Sequence, residues 1–590
     1  MKQTWTSTGW SAALIVLLTA LAYVPALRGG FVFDDYVLIT RNRIVKAGDG
    51  LSRLWFTTEA TDYYPLSGSL WWLEWHLWND RATGYHVVNV LLHAGCAVLV
   101  WLILRRLKIP AAWLAAMVFA VHPVNVATGA WISEQKNTLS MLFYALAILL
   151  FLRFDEEGQS RWYGLSLGAF LLALLSKTAV VMLPVVLLGC LWWEHGRVRR
   201  RDWLCSVPFF VLSLVSGLVT IRLQYDHAME GHAVQTGGFA SRLAAAGWVP
   251  WFYLSKALVP IDLTVIYPKW EIDASRWVSY VPGIILIGGL ALFWWKRKSW
   301  GRPWLFGLGY FVVTLFPVLG FFDQAFYRYS LVADHWQYSS IIGVIALAVA
   351  VGHKVGNRMG ERGRFDRVLA GAAVLILLGQ ATWRRSSVYA DSETLWRDNV
   401  TKNPYAWMAH NGLGSALEAA GQLDEAIEQY DQAVRINPDY AEGHYNLGSA
   451  LWQAGKSEDA IEHYEEALQI KTNFAEAHYN LGIALWQTRG AQEALKHFNE
   501  AVRINPDYAE AHNNLGVALQ QAGQVQEAIG QYERAVQIKP DYLEAHNNLA
   551  VALERMGRIQ EAIGQYEEVI RLKPDFAEAR NELTRLRAAR

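Results

Sequence analysis

Hydrophobic residues are concentrated in the first two thirds of the chain, in runs long enough to cross a bilayer. A helix of about 20 apolar residues spans the hydrocarbon core. One apolar run, residues 243–260, is interrupted by Pro250 and Pro260, and we interpret this run as re-entrant or interfacial rather than as a span. The pattern predicts a polytopic membrane domain over residues 1–390, with eleven spans near residues 9–27, 86–104, 111–131, 138–154, 162–176, 179–193, 204–221, 277–295, 303–321, 337–353 and 367–383.

The last third of the chain has a different pattern, a repeat of 34 residues. Its most visible marks are prolines at one position of each unit, Pro404, Pro438, Pro506, Pro540 and Pro574, with Thr472 in the remaining place. These units resemble the tetratricopeptide repeat (TPR), in which pairs of helices stack into an α-solenoid. We expect an all-α protein with a linker helix at 391–404, five TPRs at 405–574 and a capping helix at 575–590.

The formal net charge of zero conceals two halves of opposite sign. Residues 405–590 carry 28 acidic and 16 basic side chains and are therefore negatively charged. Residues 1–404 carry 25 acidic and 37 basic side chains and are positively charged. The basic residues cluster in loops at 105–108, 197–201, 296–302 and 358–367, and such loops stay in the cytoplasm. Eleven spans, with the first one retained as a helix because it has no small-residue cleavage site, place all four loops inside. The 28–85 loop, the 322–336 loop and the TPRs are then outside.

Two polar columns recur in the repeats. In a TPR solenoid the first helices line a groove, and the repeats resemble the TPR arm of O-GlcNAc transferases, where an asparagine ladder binds an extended peptide. The alternative is that these residues simply belong to the common TPR consensus. The columns are Asn446, Asn480, Asn514 and Asn548, and His444, His478, His512 and His546.

An acidic pair, Asp34 and Asp35, directly follows the first predicted span in the sequence "RGGFVFDDY". Ionisable groups near a bilayer are candidates for function. A carboxylate there can act as a general base towards an acceptor hydroxyl that attacks a sugar. The alternative is a solvated turn that ends the helix.

Three segments together resemble the GT-C membrane glycosyltransferases, and more narrowly the transmembrane-and-TPR O-mannosyltransferase-like proteins. They are "FDDY", "GYHVVNVLLH" and "HPVNVATGAWISEQKN", followed by the TPRs. The resemblance implies that Asp34 or Asp35 is the catalytic base, with Asp34 favoured and Asp35 positioning the acceptor. Protein mannosyltransferases have Asp-Glu where this chain has Asp-Asp, which leaves the choice open.

Transfer outside the membrane implies a polyprenyl- or dolichyl-phosphate sugar as donor, because nucleotide sugars are cytoplasmic. Its phosphate requires cations or hydrogen-bond donors near the outer interface. The predicted phosphate-binding residues are Lys177, Arg328 and His335, with Lys136 as a weaker candidate, although a single lysine can also simply snorkel to the interface. The residues predicted to line the substrate pocket are His86, His93, Tyr267, Asp334 and Tyr338.

No cofactor is predicted. His86 and His93 lie on one helical face and could hold a divalent ion with Glu74 or Asp62, but a hydrogen-bonded packing role is favoured for them. The three cysteines, Cys96, Cys190 and Cys205, form no CxxC motif, which argues against a cysteine-built metal site or a disulfide framework.

The leading hypothesis is a membrane enzyme that moves a hexose, mannose-like by resemblance, from a polyprenyl phosphate to Ser or Thr hydroxyls of a protein held by the TPRs. The alternatives are the same chemistry on a lipid or glycan acceptor, and a non-catalytic membrane-anchored TPR scaffold. A transporter is disfavoured because no matching pair of broken segments is found. Membrane lipids are expected partners and nucleic acid is not. We expect a bacterial inner membrane with periplasmic TPRs, or an ER membrane with luminal TPRs.

Overall fold

The computed structural model describes residues 2–60, 62–228, 238–358 and 360–588. Every regular element in these ranges is a helix, which confirms the all-α prediction. The chain divides into two compact units, residues 1–406 and residues 407–590.

The first unit contains seventeen α-helices among its described residues, joined by short loops and 3₁₀ turns. They are α1 Lys2–Ala22, α2 Arg43–Lys46, α3 Gly50–Phe56, α4 Pro65–Trp78, α5 Ala82–Arg106, α6 Ala112–Ala120, α7 Val126–Gly129, α8 Gln135–Glu157, α9 Ser160–Ser176, α10 Leu183–His195, α11 Arg200–Leu223, α12 Phe239–Leu258, α13 Val281–Trp295, α14 Gly301–Leu315, α15 Ile341–Asn357, α16 Gly360–Val388 and α17 Ser392–Lys402.

Fewer helices have the length and composition of a membrane span than the eleven predicted. Within the described residues there are six, or seven if α6 and the segment Pro123–Gly129, which meet at 47°, form one span. The helices at 9–22 and 341–357 are apolar but shorter, and α9 and α14 have 17 and 15 residues. Proline accounts for two of the interruptions, since Pro123 is the first residue and Pro317 the second residue of a 3₁₀ turn within a run that is continuous in hydropathy. The six are Ala82–Arg106, Ile132–Glu157, Thr178–His195, Arg200–Asp226, Trp277–Trp295 and Phe365–Val388.

The run at 243–260 is a continuous helix rather than a broken one. Pro250 lies inside α12, which ends at Leu258, just before Pro260. Val259 has φ −135° and ψ 84°, outside the α-helical region, as expected for a residue that precedes proline. The re-entrant or interfacial position of residues 243–260 stays a prediction.

Short turns gather where several helices of the first unit begin or end. The 3₁₀ turn Ile132–Glu134 leads into α8, Thr178–Val180 separates α9 from α10, and Asp334–Gln337 precedes α15. The turn at 178–180 packs against α8 and α9, and the turn at 334–337 packs against α7. Four of the predicted site residues lie on these turns or directly beside them in the chain, namely Lys177, Asp334, His335 and Tyr338.

The second unit consists of five helix pairs and a final helix, each pair packed on the next around a shared apolar core. Gly421, Gly455, Gly523 and Gly557 have φ of +73° to +84° at the turn inside a pair, and in the third repeat Gly490, at +98°, follows Arg489. Residues 589 and 590 of the predicted capping helix lie outside the described residues. The helices are α18 Trp407–Ala419, α19 Leu423–Ile436, α20 Ala441–Gln453, α21 Ser457–Ile470, α22 Ala475–Arg489, α23 Ala491–Ile504, α24 Ala509–Gln521, α25 Val525–Ile538, α26 Leu543–Arg555, α27 Ile559–Leu572 and α28 Ala577–Ala588.

Candidate active site

The two adjacent carboxylates, Asp34 and Asp35, lie in different surroundings. Asp35 is fully buried, and its two oxygens accept the backbone N–H groups of Val32 at 2.9 Å and Ser133 at 2.7 Å. Asp35 therefore stabilises its own loop and links this loop to the 3₁₀ turn Ile132–Glu134, which precedes α8. Asp34 is half-buried, and within the described part of the chain it has no hydrogen bond or ion pair. Of the two carboxylates, that of Asp34 is therefore the one that does not stabilise the surrounding backbone.

Charged side chains of both signs surround Asp34. Burial raises the pKa of its carboxyl to about 6, Lys136 and Lys177 oppose this rise, and Glu134 and Asp62 add to it. Burial also raises the pKa of Asp35, to about 7, against the two N–H donors. A group with a pKa near 6 is deprotonated at neutral pH and still accepts a proton readily, which suits a general base.

Glu134 organises the two lysines. This glutamate is 2% exposed, and its oxygens lie 3.2 Å from Lys136 Nζ and 3.3 Å from Lys177 Nζ. Asn137 also donates to it. The two ammonium groups therefore share one buried carboxylate, and Asp34 and Asp62 add further negative charge beside Lys136. Glu134 is not among the residues predicted from the sequence, although it stands in the motif that contains Lys136.

The first loop of the chain reaches the turn that carries Lys177. Ser67 Oγ donates to the Ser176 carbonyl at 2.8 Å, and the Tyr64 hydroxyl lies 3.5 Å from Thr178 Oγ1. Burial lowers the pKa of Lys177 to about 8, and Glu134 opposes that change. Lys177 is therefore fixed between two segments rather than extended freely towards an interface.

His335 lies near the same group of charges. Lys177, His335, Asn137 and Tyr338 all line one small cleft. The imidazole packs edge-on against Trp131, with ring centroids 5.8 Å apart, and burial lowers its pKa to about 4. At neutral pH His335 is therefore uncharged and can offer a phosphate a hydrogen bond rather than a positive charge.

Arg328, the third predicted phosphate ligand, is exposed on the turn Ala325–Arg328. No described contact joins it to Lys177 or Glu134. The link to the site is indirect, through Phe326 on the same turn, whose ring lies 5.9 Å from that of His335.

The five predicted pocket residues separate into three groups. Tyr267 donates to Asp334 at 2.7 Å, and burial raises the pKa of Asp334 to about 6. His93 bonds to the Tyr338 hydroxyl at 2.7 Å and to the Ala120 carbonyl at 3.0 Å. His86 lies 3.3 Å from the Gly30 carbonyl. Because both ring nitrogens of His93 have partners, it is placed as a packing residue rather than as a metal ligand.

The asparagine ladder connects neighbouring repeats. Each Asn Nδ2 donates to the residue 35 positions earlier, on the first helix of the preceding repeat. The acceptor is an asparagine oxygen or a tyrosine hydroxyl, at distances of 2.9–3.1 Å. The pairs are Asn446 with Asn411, Asn480 with Tyr445, Asn514 with Tyr479 and Asn548 with Asn513. All four ladder residues are half-buried, and the inter-repeat bonds use part of their hydrogen-bonding capacity.

Replacing Asn514 with alanine is expected to destabilise the TPRs through the loss of the bond to Tyr479 Oη. One such hydrogen bond contributes about 1 kcal/mol. Thermal unfolding of the full-length protein followed by circular dichroism should show a lower midpoint than for the wild type. The matched control is Tyr479→Phe, which removes only the acceptor. The two variants should lose similar stability, and the double variant little more, whereas an unchanged midpoint for both single variants would contradict this role.

Comparison with known proteins gives a match in each unit. Residues 64–222 match the family model described as dolichyl-phosphate-mannose-protein mannosyltransferase. Overlapping stretches from residue 414 to residue 590 match models of the TPR. Solved TPR structures are similar at low TM-scores. YrrB is 21% identical over 32% of this chain and 96% of that chain, with a TM-score of 0.29, and MamA is 27% identical over 29% and 94%, with a TM-score of 0.27.

Curated relatives match over most of the chain. Protein O-mannosyl-transferase F38B6.6 of Caenorhabditis elegans is 23% identical over 73% of this chain and 63% of its own length. Protein O-mannosyl-transferase TMTC1 of Homo sapiens is 24% identical over 73% of this chain and 55% of its own length. The chain thus spans less than two thirds of these relatives. The resemblance inferred from the sequence motifs is confirmed: this chain combines a mannosyltransferase-like membrane unit with TPRs and is similar to the protein O-mannosyl-transferases.

Proposed function

We propose that this protein is a membrane mannosyltransferase that moves a mannose-like hexose from a polyprenyl phosphate to a Ser or Thr hydroxyl of a protein acceptor. The observation that carries the proposal is the free carboxylate of Asp34, next to Lys136 and Lys177. The similarity to proteins named protein O-mannosyl-transferases supports the sugar and the acceptor class.

In the proposed reaction Asp34 takes the proton of the acceptor hydroxyl while that oxygen attacks the anomeric carbon of the sugar. The bond between the anomeric carbon and the phosphate oxygen breaks, and the polyprenyl phosphate leaves with the electron pair. Lys177 and Lys136 stabilise the charge that grows on the leaving phosphate, and His335 can add a hydrogen bond. Glu134 holds both lysines in place. Asp35 positions Asp34 through its bonds to the turn at 132–134.

The proposed side of transfer is the non-cytoplasmic one. The support for this is the clustering of Lys and Arg in four short loops, together with a donor that is lipid-bound rather than a nucleotide. The TPRs on that side would bind the acceptor through the remaining capacity of the asparagine ladder.

The direct test is an assay with purified protein in lipid nanodiscs. Polyprenyl-phosphate mannose is supplied with a Ser/Thr-rich peptide library or with a membrane extract, and products are identified by mass spectrometry. A hexose on Ser or Thr supports the proposal. A hexose found only on a lipid or glycan would assign the same chemistry to another acceptor. Absence of transfer with all acceptors would favour the scaffold alternative.

Replacing Lys177 with glutamine is expected to weaken donor use. The side chain keeps much of its length but loses the charge that faces the phosphate, so kcat/KM for the donor should fall about 10- to 100-fold. Lys298→Gln is the matched control, because Lys298 is exposed in the basic loop at 296–302. Initial rates at varied donor concentration measure the effect. Equal loss in both variants, or none in Lys177→Gln, would remove Lys177 from the phosphate site.

A further inference from the structure

A buried histidine recurs on the first helix of every repeat. In four repeats its Nε2 lies 3.0–3.2 Å from the backbone carbonyl six residues earlier. A carbonyl only accepts hydrogen bonds, so Nε2 carries a proton in these four histidines. The other ring nitrogen, Nδ1, faces the second helix of the same repeat. The histidines are His410, His444, His478, His512 and His546.

The residue that meets Nδ1 differs between repeats. In three repeats it is a glutamine 19 positions later, whose side-chain oxygen Oε1 lies 2.7–2.8 Å from Nδ1. The second and third repeats have a histidine there instead. His444 Nδ1 lies 3.3 Å from His463 Nδ1, and His478 Nδ1 lies 3.1 Å from His497 Nδ1. Two imidazole nitrogens at this separation are typical neighbours around one tetrahedral metal ion.

The second repeat adds a carboxylate to the pair. Glu466 Oε2 lies 2.8 Å from His444 Nδ1 and 2.7 Å from His463 Nδ1. The three atoms form a triangle, and a point about 1 Å above its plane is about 2.0 Å from each of them, as zinc ligands require. The side chains of His463 and Glu466 are 24% and 40% exposed. Solvent can therefore reach this point and provide a fourth ligand.

The third repeat shows why the carboxylate matters. Its equivalent of Glu466 is Glu500, which pairs with Arg503 at 2.8 Å. The second repeat has Gln469 at the position of Arg503, so no arginine draws Glu466 away. Within the described residues, the second repeat alone has the full set of two imidazoles and a carboxylate among the five TPRs.

We propose that His444, His463 and Glu466 bind a divalent transition metal ion, with zinc as the best match. Two nitrogens, one carboxylate oxygen and one water form a common zinc donor set, and the carbonyl of Pro438 orients His444 from its far side. The ion would join α20 to α21 within one repeat. This site is independent of the glycosyl-transfer chemistry proposed for the membrane unit.

The test uses the full-length protein in detergent, purified without a polyhistidine tag, stripped with EDTA and dialysed against zinc. His463→Gln is the matched variant, because it recreates the His–Gln pair of the other three repeats and should fold normally. The wild type should retain one more zinc per chain by mass spectrometry, and zinc should raise its melting temperature but not that of the variant. Cobalt should give tetrahedral d–d bands in the wild type only. Equal zinc content in the two proteins would overturn the proposal, and the cluster would then be a hydrogen-bonded triad.

A gain-of-function variant tests whether the three side chains are sufficient. Gln531→His with Arg534→Glu introduces the same set around His512 in the fourth repeat, which already has Gln537 at the position of Gln469. This double variant should bind one zinc more than the wild type. Failure to gain zinc would contradict the assignment of metal binding to these three groups.

Discussion

Asp34→Asn is expected to abolish sugar transfer while the protein stays folded. Asparagine has nearly the same shape but cannot take the proton of an acceptor hydroxyl, and removal of a general base typically costs 10²- to 10⁴-fold in rate. Since Asp34 has no hydrogen bond or ion pair among the described residues, its carboxylate contributes little to the fold. Activity should fall at least 100-fold in kcat/KM, with a melting temperature within about 2 °C of the wild type.

Asp35→Asn is the control that separates chemistry from positioning. An asparagine can offer one oxygen, but its NH₂ then faces a backbone N–H of Val32 or Ser133 that needs an acceptor. This variant should lose stability as well as activity. Full activity in both single variants and in the double variant would contradict a catalytic role for the acidic pair.

The pH profile gives a second measurement of the same role. Because burial raises the pKa of Asp34 to about 6, the base is protonated below that pH in the free enzyme. The value of kcat/KM should fall about tenfold per pH unit below pH 6 and level off above it. The residual activity of Asp34→Asn should lack this dependence. A wild-type profile that is flat between pH 5 and 7 would exclude Asp34 as the group that must lose its proton.

The elements with strong periodicity could be predicted from the sequence. The 34-residue repeat predicted the helix pairs, because each pair buries a regular set of small and apolar residues. The repeat did not predict that the asparagine ladder forms hydrogen bonds between neighbouring repeats. The partner of Asn480 is Tyr445, one position away from the 34-residue period, and only the packing of successive first helices shows that the two side chains meet.

The membrane unit was harder to predict for a different reason. A hydropathy window averages over the prolines that end helices, so the turns around Pro123 and Pro317 were interpreted as parts of spans. Within the site, Glu134 could not be predicted from the sequence pattern either. A single glutamate in a polar motif has no periodic partner, and its importance depends on two lysines brought together from α8 and from the turn after α9.

Glu134→Gln is expected to damage both the fold around the site and the activity, because Lys136 and Lys177 then lose the carboxylate that neutralises them. Both lysines are only 13–14% exposed. Breaking a buried ion pair by removing one partner costs about 3–5 kcal/mol, since a charge is left uncompensated. The variant should melt at a lower temperature, and its transfer rate should fall by at least tenfold. These effects are measured by thermal unfolding in detergent and by the assay with polyprenyl-phosphate mannose.

A compensating change distinguishes lost charge balance from a direct role of Glu134 in the reaction. Glu134→Gln with Lys136→Met removes one charge of each sign and leaves Lys177 as the cation for the phosphate. If Glu134 acts by holding the lysines, the double variant should regain stability relative to Glu134→Gln, a coupling of about 1–3 kcal/mol in a double-mutant cycle. It should also regain part of the activity, since Asp34 and Lys177 are intact. Additive losses in the cycle would contradict the organising role, because independent residues do not rescue one another.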